Sequence, residues 1–304
     1  MPPTAELARM VDLGGGRYPR AVASGDAIHL RAAVALLGAF PALAGADLDV
    51  ATGEVALLQG ANGAGKTTLL RVCAGIQAVV SGDVEVLGHD LVRDRRAVRR
   101  HVGLLGQTTG LYDDLSVADN VRFAVRAAGG DQSACAPALE RLGLVGRLAS
   151  APVSRLSTGQ RRRTALAVLA ARRPPLWLLD EPHAGLDAEG RDLLDGLVRE
   201  AVESGATVVL ASHELDRATA LADRVLAVAG GVIVADLPGP SGRLRRGPGP
   251  RTSPGPGTSA GPRTSPGPGT YPGSGTAPGA STSPGPSSAQ RSAAGARLRV
   301  AHVA

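Results

Sequence analysis

The run Gly60-Ala61-Asn62-Gly63-Ala64-Gly65-Lys66-Thr67-Thr68 has the spacing G-x-x-x-x-G-K-[ST]. It stands between an apolar stretch ending at Gln59 and a helical pattern from Leu69 to Gly75. Strand, glycine-rich loop and helix in that order make a phosphate cradle. The glycines turn backbone N–H groups inward around an anion, and the following helix points its positive end at it. Gly63 and Gly65 are expected to shape the cradle, Lys66 to reach the β- and γ-phosphates of a nucleoside triphosphate such as ATP, and Thr67 to ligate Mg²⁺. Of the 33 basic residues all but Lys66 are arginine. A coding bias toward arginine has thus spared the one position where a compact ammonium fits between phosphate oxygens and a planar guanidinium does not.

Such chemistry also needs a carboxylate for the metal and a group to polarise the attacking water. The apolar run Leu176-Trp177-Leu178-Leu179 ends in Asp180-Glu181, which places both acids at the carboxyl end of a buried strand, where open α/β sheets bind ligands. Asp180 is the expected Mg²⁺ partner and Glu181 the expected general base. Taken alone, an apolar run followed by two acids is a weak signal, because strands often end in a solvated acid. Paired with the loop at Gly60 it is strong.

Further residues extend the pattern. Leu156-Ser157-Thr158-Gly159-Gln160 precedes Asp180 by about twenty residues, Gln107 follows the apolar run Val102 to Gly106, Ala184-Gly185-Leu186-Asp187 follows the acids, and His213 follows Thr207 to Ala211. In content and order these motifs resemble the signature, Q-loop, D-loop and switch histidine of ATP-binding cassette (ABC) ATPases, over about residues 28 to 236. The resemblance implies an α/β fold: a P-loop NTPase cassette of the ABC type, with a mostly parallel sheet, antiparallel N-terminal strands and a helical subdomain.

By that resemblance Gly60 to Thr68 and Asp187 belong to the nucleotide site, and Ser157, Gly159 and Gln160 act on ATP held by a second copy in a homodimer. Gln107 contacts Mg²⁺ and water, and His213 contacts the γ-phosphate. Integral-membrane permease subunits are the implied partners, and the cytoplasmic face of a bacterial cell membrane, held peripherally, is the implied location. Two positions depart from the family pattern. Thr158 stands where glycine is commonest, and at the adenine platform, usually aromatic, the aligned residue is Leu37, with Phe40 close by as the other candidate to support the base.

The elements that must carry these residues are legible as apolar runs. Strands are expected at Glu54 to Gln59, Val102 to Gly106, Leu176 to Asp180, Ala206 to Ser212 and Arg224 to Ala229, nearly continuous as suits strands buried on both faces. Between Leu111 and Leu156 the pattern turns helical, with Ser116 to Asp119 as a capping box and a second helix at Pro137 to Leu142. The working domain is expected over 27–236, with its helical subdomain at about 108–165. Arg161, Arg162 and Arg163 read as a solvated or subunit-facing stripe on the signature helix, and His183 as a variable position. Cys73 and Cys135 read as buried, inert thiols.

Residues 1–26 read as a flexible extension, in which Glu6, Asp12 and the lack of an apolar core argue against a secretory signal. Residues 237–304 change abruptly to Pro, Gly, Ser and Thr, and Pro-Arg-Thr-Ser-Pro-Gly-Pro-Gly-Thr occurs twice, from Pro250 and from Pro262. Such a tail cannot bury enough apolar surface to offset its chain entropy and is expected to be disordered. It holds eight arginines and no acid, which leaves 25 basic against 27 acidic residues in the rest of a chain whose net charge is +6. A body so balanced has no electrostatic reason to bind nucleic acid. No run of 18 apolar residues exists to span a membrane.

The cargo is less legible. Leu176-Trp177 before the acids and Arg161-Arg162-Arg163 after a signature whose third residue is not glycine resemble the CcmA-like haem-export ATPases of cytochrome c maturation, which implies CcmB/CcmC-like permease partners. Drug or antibiotic exporter ATPases share most of the same motifs and stand as the alternative. A soluble, non-transport ABC ATPase is a third reading, disfavoured by the single cassette.

Overall fold

The computed structural model describes residues 25–241. The extension expected over 1–26 and the tail expected over 237–304 lie outside the described residues, apart from Gly25, Asp26 and residues 237–241 at their edges. In chain order the elements are β1 (Asp26–Leu37), β2 (Phe40–Ala51), β3 (Val55–Gln59), α1 (Lys66–Cys73), β4 (Ser81–Val86), β5 (His89–Asp90), α2 (Leu91–Asp94), β6 (Val102–Leu105), α3 (Val117–Ala127), α4 (Cys135–Arg141), α5 (Thr158–Arg172), β7 (Leu176–Asp180), α6 (Ala188–Glu203), β8 (Thr207–Ala211), α7 (Leu215–Leu221), β9 (Arg224–Ala229) and β10 (Val232–Pro238).

Two sheets result. Six strands in the order β10-β9-β3-β8-β7-β6 are parallel except for β10, which pairs antiparallel with β9, and four antiparallel strands form a second sheet in the order β2-β1-β4-β5. Alternation along the central strands decides which core each residue enters. Leu57, Trp177, Leu179, Val208 and Leu210 pack toward α3 to α7, whereas Ala56, Leu58, Leu176, Leu178 and Val209 pack toward α1 and the antiparallel sheet. Both faces are therefore buried, which accounts for the unbroken apolar runs.

The helical block is capped as its sequence implies: the Ser116 side chain accepts from the Asp119 N–H at 3.1 Å and opens α3. Its last helix, α5, runs unbroken to Arg172 and packs on α3 and α4 as well as on the central sheet. Cys73 and Cys135 are both free and buried, and burial pushes the Cys73 thiol up to about 12.

Candidate active site

The strand order gathers the motifs. The phosphate loop follows β3, His213 follows β8, Asp180 ends β7 and Gln107 lies two residues beyond β6; these four strands are neighbours with their carboxyl ends on one edge. That edge is where a doubly wound sheet binds ligands.

The loop's shape depends on two glycines. A Cβ at Gly60 would lie 2.2 Å from the Val228 carbonyl oxygen, and at Gly65, with φ of 110°, it would lie 2.7 Å from that of Ala42. Only glycine lets the loop lie this close to β9 and β2. A further bond, from the Gly231 N–H to the Ala64 carbonyl at 2.9 Å, ties the loop to the β9–β10 turn. Ala61, Asn62 and Gly63 are exposed at the crest, while Lys66 and Thr68 are buried in the first turn of α1. Lys66 donates from Nζ to the carbonyls of Gly60 at 2.7 Å and Ala61 at 3.1 Å, so the ammonium is held inside its own loop.

Across the loop the Thr67 hydroxyl donates to Asp180 Oδ2 at 2.8 Å. A hydroxyl and a buried carboxylate are hard oxygen donors of the kind Mg²⁺ takes, so the residues present fit that ion. Glu181 follows with φ of 48°, a left-handed conformation that costs a non-glycine residue on the order of 1–3 kcal/mol. Its N–H is fixed to the Ala211 carbonyl at 2.8 Å. Its side chain turns to the switch segment: Oε2 accepts from the His213 N–H at 3.0 Å, and Oε1 lies 3.3 Å from His213 Nε2. The same Nε2 lies 3.0 Å from Asn62 Oδ1. Lys66, Thr67, Asp180, Glu181, His213 and Asn62 thus form one cluster.

The signature stands differently. Ser157 caps α5 in a reciprocal box, its hydroxyl accepting from the Gln160 N–H at 3.2 Å and its own N–H donating to Gln160 Oε1 at 3.0 Å. Gly159 and Gly185 sit against each other's segments, since a Cβ on Gly159 would lie 3.1 Å from the Gly185 carbonyl. Asp187 caps α6 through the Gly190 N–H and pairs with Arg163, and the guanidinium lowers its carboxyl below the ordinary value. Gln107 is exposed. Leu37 and Phe40 face each other across the β1–β2 turn, both exposed.

The arginine stripe expected at 161–163 is corrected by the structure. Arg161 pairs with Asp113 at the surface, but Arg162 is only 4% exposed. Its guanidinium donates to the carbonyls of Gly106 at 2.6 Å, Asp180 at 3.1 Å and Pro182 at 3.2 Å, and also to that of Glu181. Burial pulls its pKa below the ordinary value against the attraction of Asp180 and Glu181. A signal for this was present: Arg162, Ala165, Leu166 and Leu169 share the buried i, i+3, i+4, i+7 face of α5. His183 is likewise buried, with Nε2 2.8 Å from Asp195, and Arg217 bonds the other oxygen of that acid at 2.8 Å. Nothing in the local sequence pattern pairs these three residues.

Comparison with known proteins identifies the family and the fold. Residues 43–184 match the family model described as ABC transporter. The chain is 42% identical over 170 residues to the cytochrome c biogenesis ATP-binding export protein CcmA of Rhodopseudomonas palustris, covering 56% of this chain and 83% of that protein. It is also 42% identical over 201 residues to the daunorubicin resistance ATP-binding protein DrrA3 of Streptomyces coeruleorubidus, covering 64% and 63% respectively. Among solved structures, a dimeric ATP-binding cassette in a post-hydrolysis state bound to ADP and Pi superposes with a TM-score of 0.63 at 24% identity, over 69% of this chain and 98% of that one. The chain belongs to the family of ABC transporter ATP-binding proteins and is an ABC-type ATPase.

Proposed function

We propose that the chain is the ATP-hydrolysing subunit of a haem exporter serving cytochrome c maturation. What supports this cargo most is the identity to CcmA over most of that relative's length. In this reading two copies face each other, each lending its signature to the ATP held by the other, and both sit at the cytoplasmic face of the membrane against CcmB/CcmC-like permease subunits.

Within one copy, the amides of Gly60 to Thr68 and the Lys66 ammonium take the phosphates. Thr67, Asp180 and Gln107 would hold Mg²⁺, which when bound would neutralise charge on the phosphate oxygens. Glu181 accepts the proton of the attacking water, and its left-handed backbone keeps the carboxylate beside His213. His213 turns from Asn62 to the γ-phosphate. Ser157, Gly159 and the amino end of α5 meet that phosphate from the opposite copy, where a helix terminus favours an anion. ATP drives transport through its greater affinity for the closed arrangement, which hydrolysis then releases.

The relationship to DrrA3 supports a second reading, in which the cargo is a drug. Disrupting the gene in its host separates the two. Loss of haem-staining c-type cytochromes, restored by the parent chain and not by Glu181→Gln, is expected. Intact cytochromes together with new sensitivity to an anthracycline would replace haem export with drug export.

A further inference from the structure

Arg162 makes no hydrogen bond to the phosphate loop among the described residues, yet its four carbonyl partners lie at the end of β7 and in the segments that follow β6 and β7. Gly106 immediately precedes Gln107, and Asp180, Glu181 and Pro182 span the proposed base. Consecutive carbonyls of an extended strand point to opposite sides. Those of Asp180 and Glu181 converge on one nitrogen of Arg162 because Glu181 takes a left-handed φ of 48°. The guanidinium therefore fits the turned conformation and not the extended one. Glu181 is held at both ends, its N–H by Ala211 on β8 and its carbonyl by Arg162 on α5.

We propose that Arg162 is a positioning residue for hydrolysis: it fastens the signature helix to the backbone of Glu181 and of the Gly106–Gln107 segment, and so fixes where the Glu181 carboxylate stands relative to His213. The fork geometry is essential. A planar guanidinium presents donors along three directions, whereas an ammonium gathers them on one atom. Arg162 lies five residues beyond Ser157 on the same helix, so displacement of the signature end moves the base with it. Nucleotide affinity rests mainly on the phosphate loop after β3, to which Arg162 makes no hydrogen bond among the described residues, and Arg162 reaches Asp180 through its backbone carbonyl, not its carboxylate. Substitution should therefore lower kcat and spare binding. The proposal rests on Glu181 being the base.

The test uses the full chain, with ATPase kinetics, affinity for a fluorescent ATP analogue, and hydrogen exchange at the His213 amide. Arg162→Lys, which keeps charge and approximate volume, is expected to lose about tenfold in kcat with affinity within about twofold of the parent, and to speed exchange at His213. Arg162→Gln is expected to lose more. If Arg162→Gln fails to fold, Arg162→Lys decides alone. A kcat within about twofold of the parent in Arg162→Lys overturns the proposal, as does a parallel loss of kcat and affinity, which marks a merely structural role. Glu181→Gln runs alongside. Full turnover in that variant removes the base itself, whereas its inactivity beside a normal Arg162→Lys removes only the positioning role.

Discussion

The phosphate-loop side and the signature side of this molecule spend their polar groups differently. Lys66, Thr67, Asp180, Glu181 and His213 bond one another or their own loop, and two of them are buried. On the signature side, Ser157 and Thr158 are exposed, and the first turn of the fifteen-residue helix they open contains no acid. One region is closed within the chain; the other ends in a positive helix terminus capped by the Ser157–Gln160 box. In the proposed reading, a site built this way within one chain is half of an assembly, with the groups around Glu181 organised before the other half arrives.

The largest effect that could break this contrast lies on the closed side. Glu181→Gln should retain ATP binding while turnover falls by on the order of 10³-fold; normal ATPase rates in that variant would remove Glu181 as the base. Next comes a pair that sharpens the contrast. Lys66→Ala should weaken ATP binding by on the order of 10²-fold through loss of charge-assisted bonds. Ser157→Ala costs α5 about 1 kcal/mol of capping and disturbs only the surface offered to another copy. Each variant alone should hydrolyse poorly. An equimolar mixture should recover part of the activity, because mixed dimers contain one intact Lys66 facing one intact Ser157. Absence of recovery would argue that both act within one chain. The smallest effect is expected from Asn62→Ala, which frees His213 from the loop and should change kcat by only about threefold. A larger change would mean that Asn62 does more than hold the imidazole.

The legibility of the molecule follows the same division. Five strands of the six-stranded sheet stand out in the sequence as apolar runs, most plainly β3, β7 and β8, which are buried on both faces. The twelve-residue strands β1 and β2 do not stand out. Alanine replaces β-branched residues along them, and register shifts between Leu30 and Val34, with Ala32 at φ of 47°, interrupt the alternation that marks a half-buried strand. The site behaves likewise. Its loop, acids, signature and switch histidine are contiguous motifs or lie at strand ends, and so are readable in order.

The partners of Arg162 escape such reading, although its buried helix face does not, because they are backbone carbonyls 18 to 20 and 56 residues away, and carbonyls have no letter in the sequence. The His183–Asp195–Arg217 chain is hidden for a related reason. It crosses from the segment after Glu181, through α6, to the helix after His213, and only the packing of α6 against α7 brings its members together.

The solitary lysine has a use beyond chemistry on phosphates. A protease that cleaves only after lysine has one target in this sequence, the bond between residues 66 and 67, and that bond lies in the first turn of α1 with Lys66 8% exposed. Cutting there requires the turn to open, so the appearance of two fragments clocks the opening of this turn, whether it opens alone or with the rest of the fold. A ligand seated in the loop slows that clock by mass action, and the chain thereby reports its own occupancy without a label.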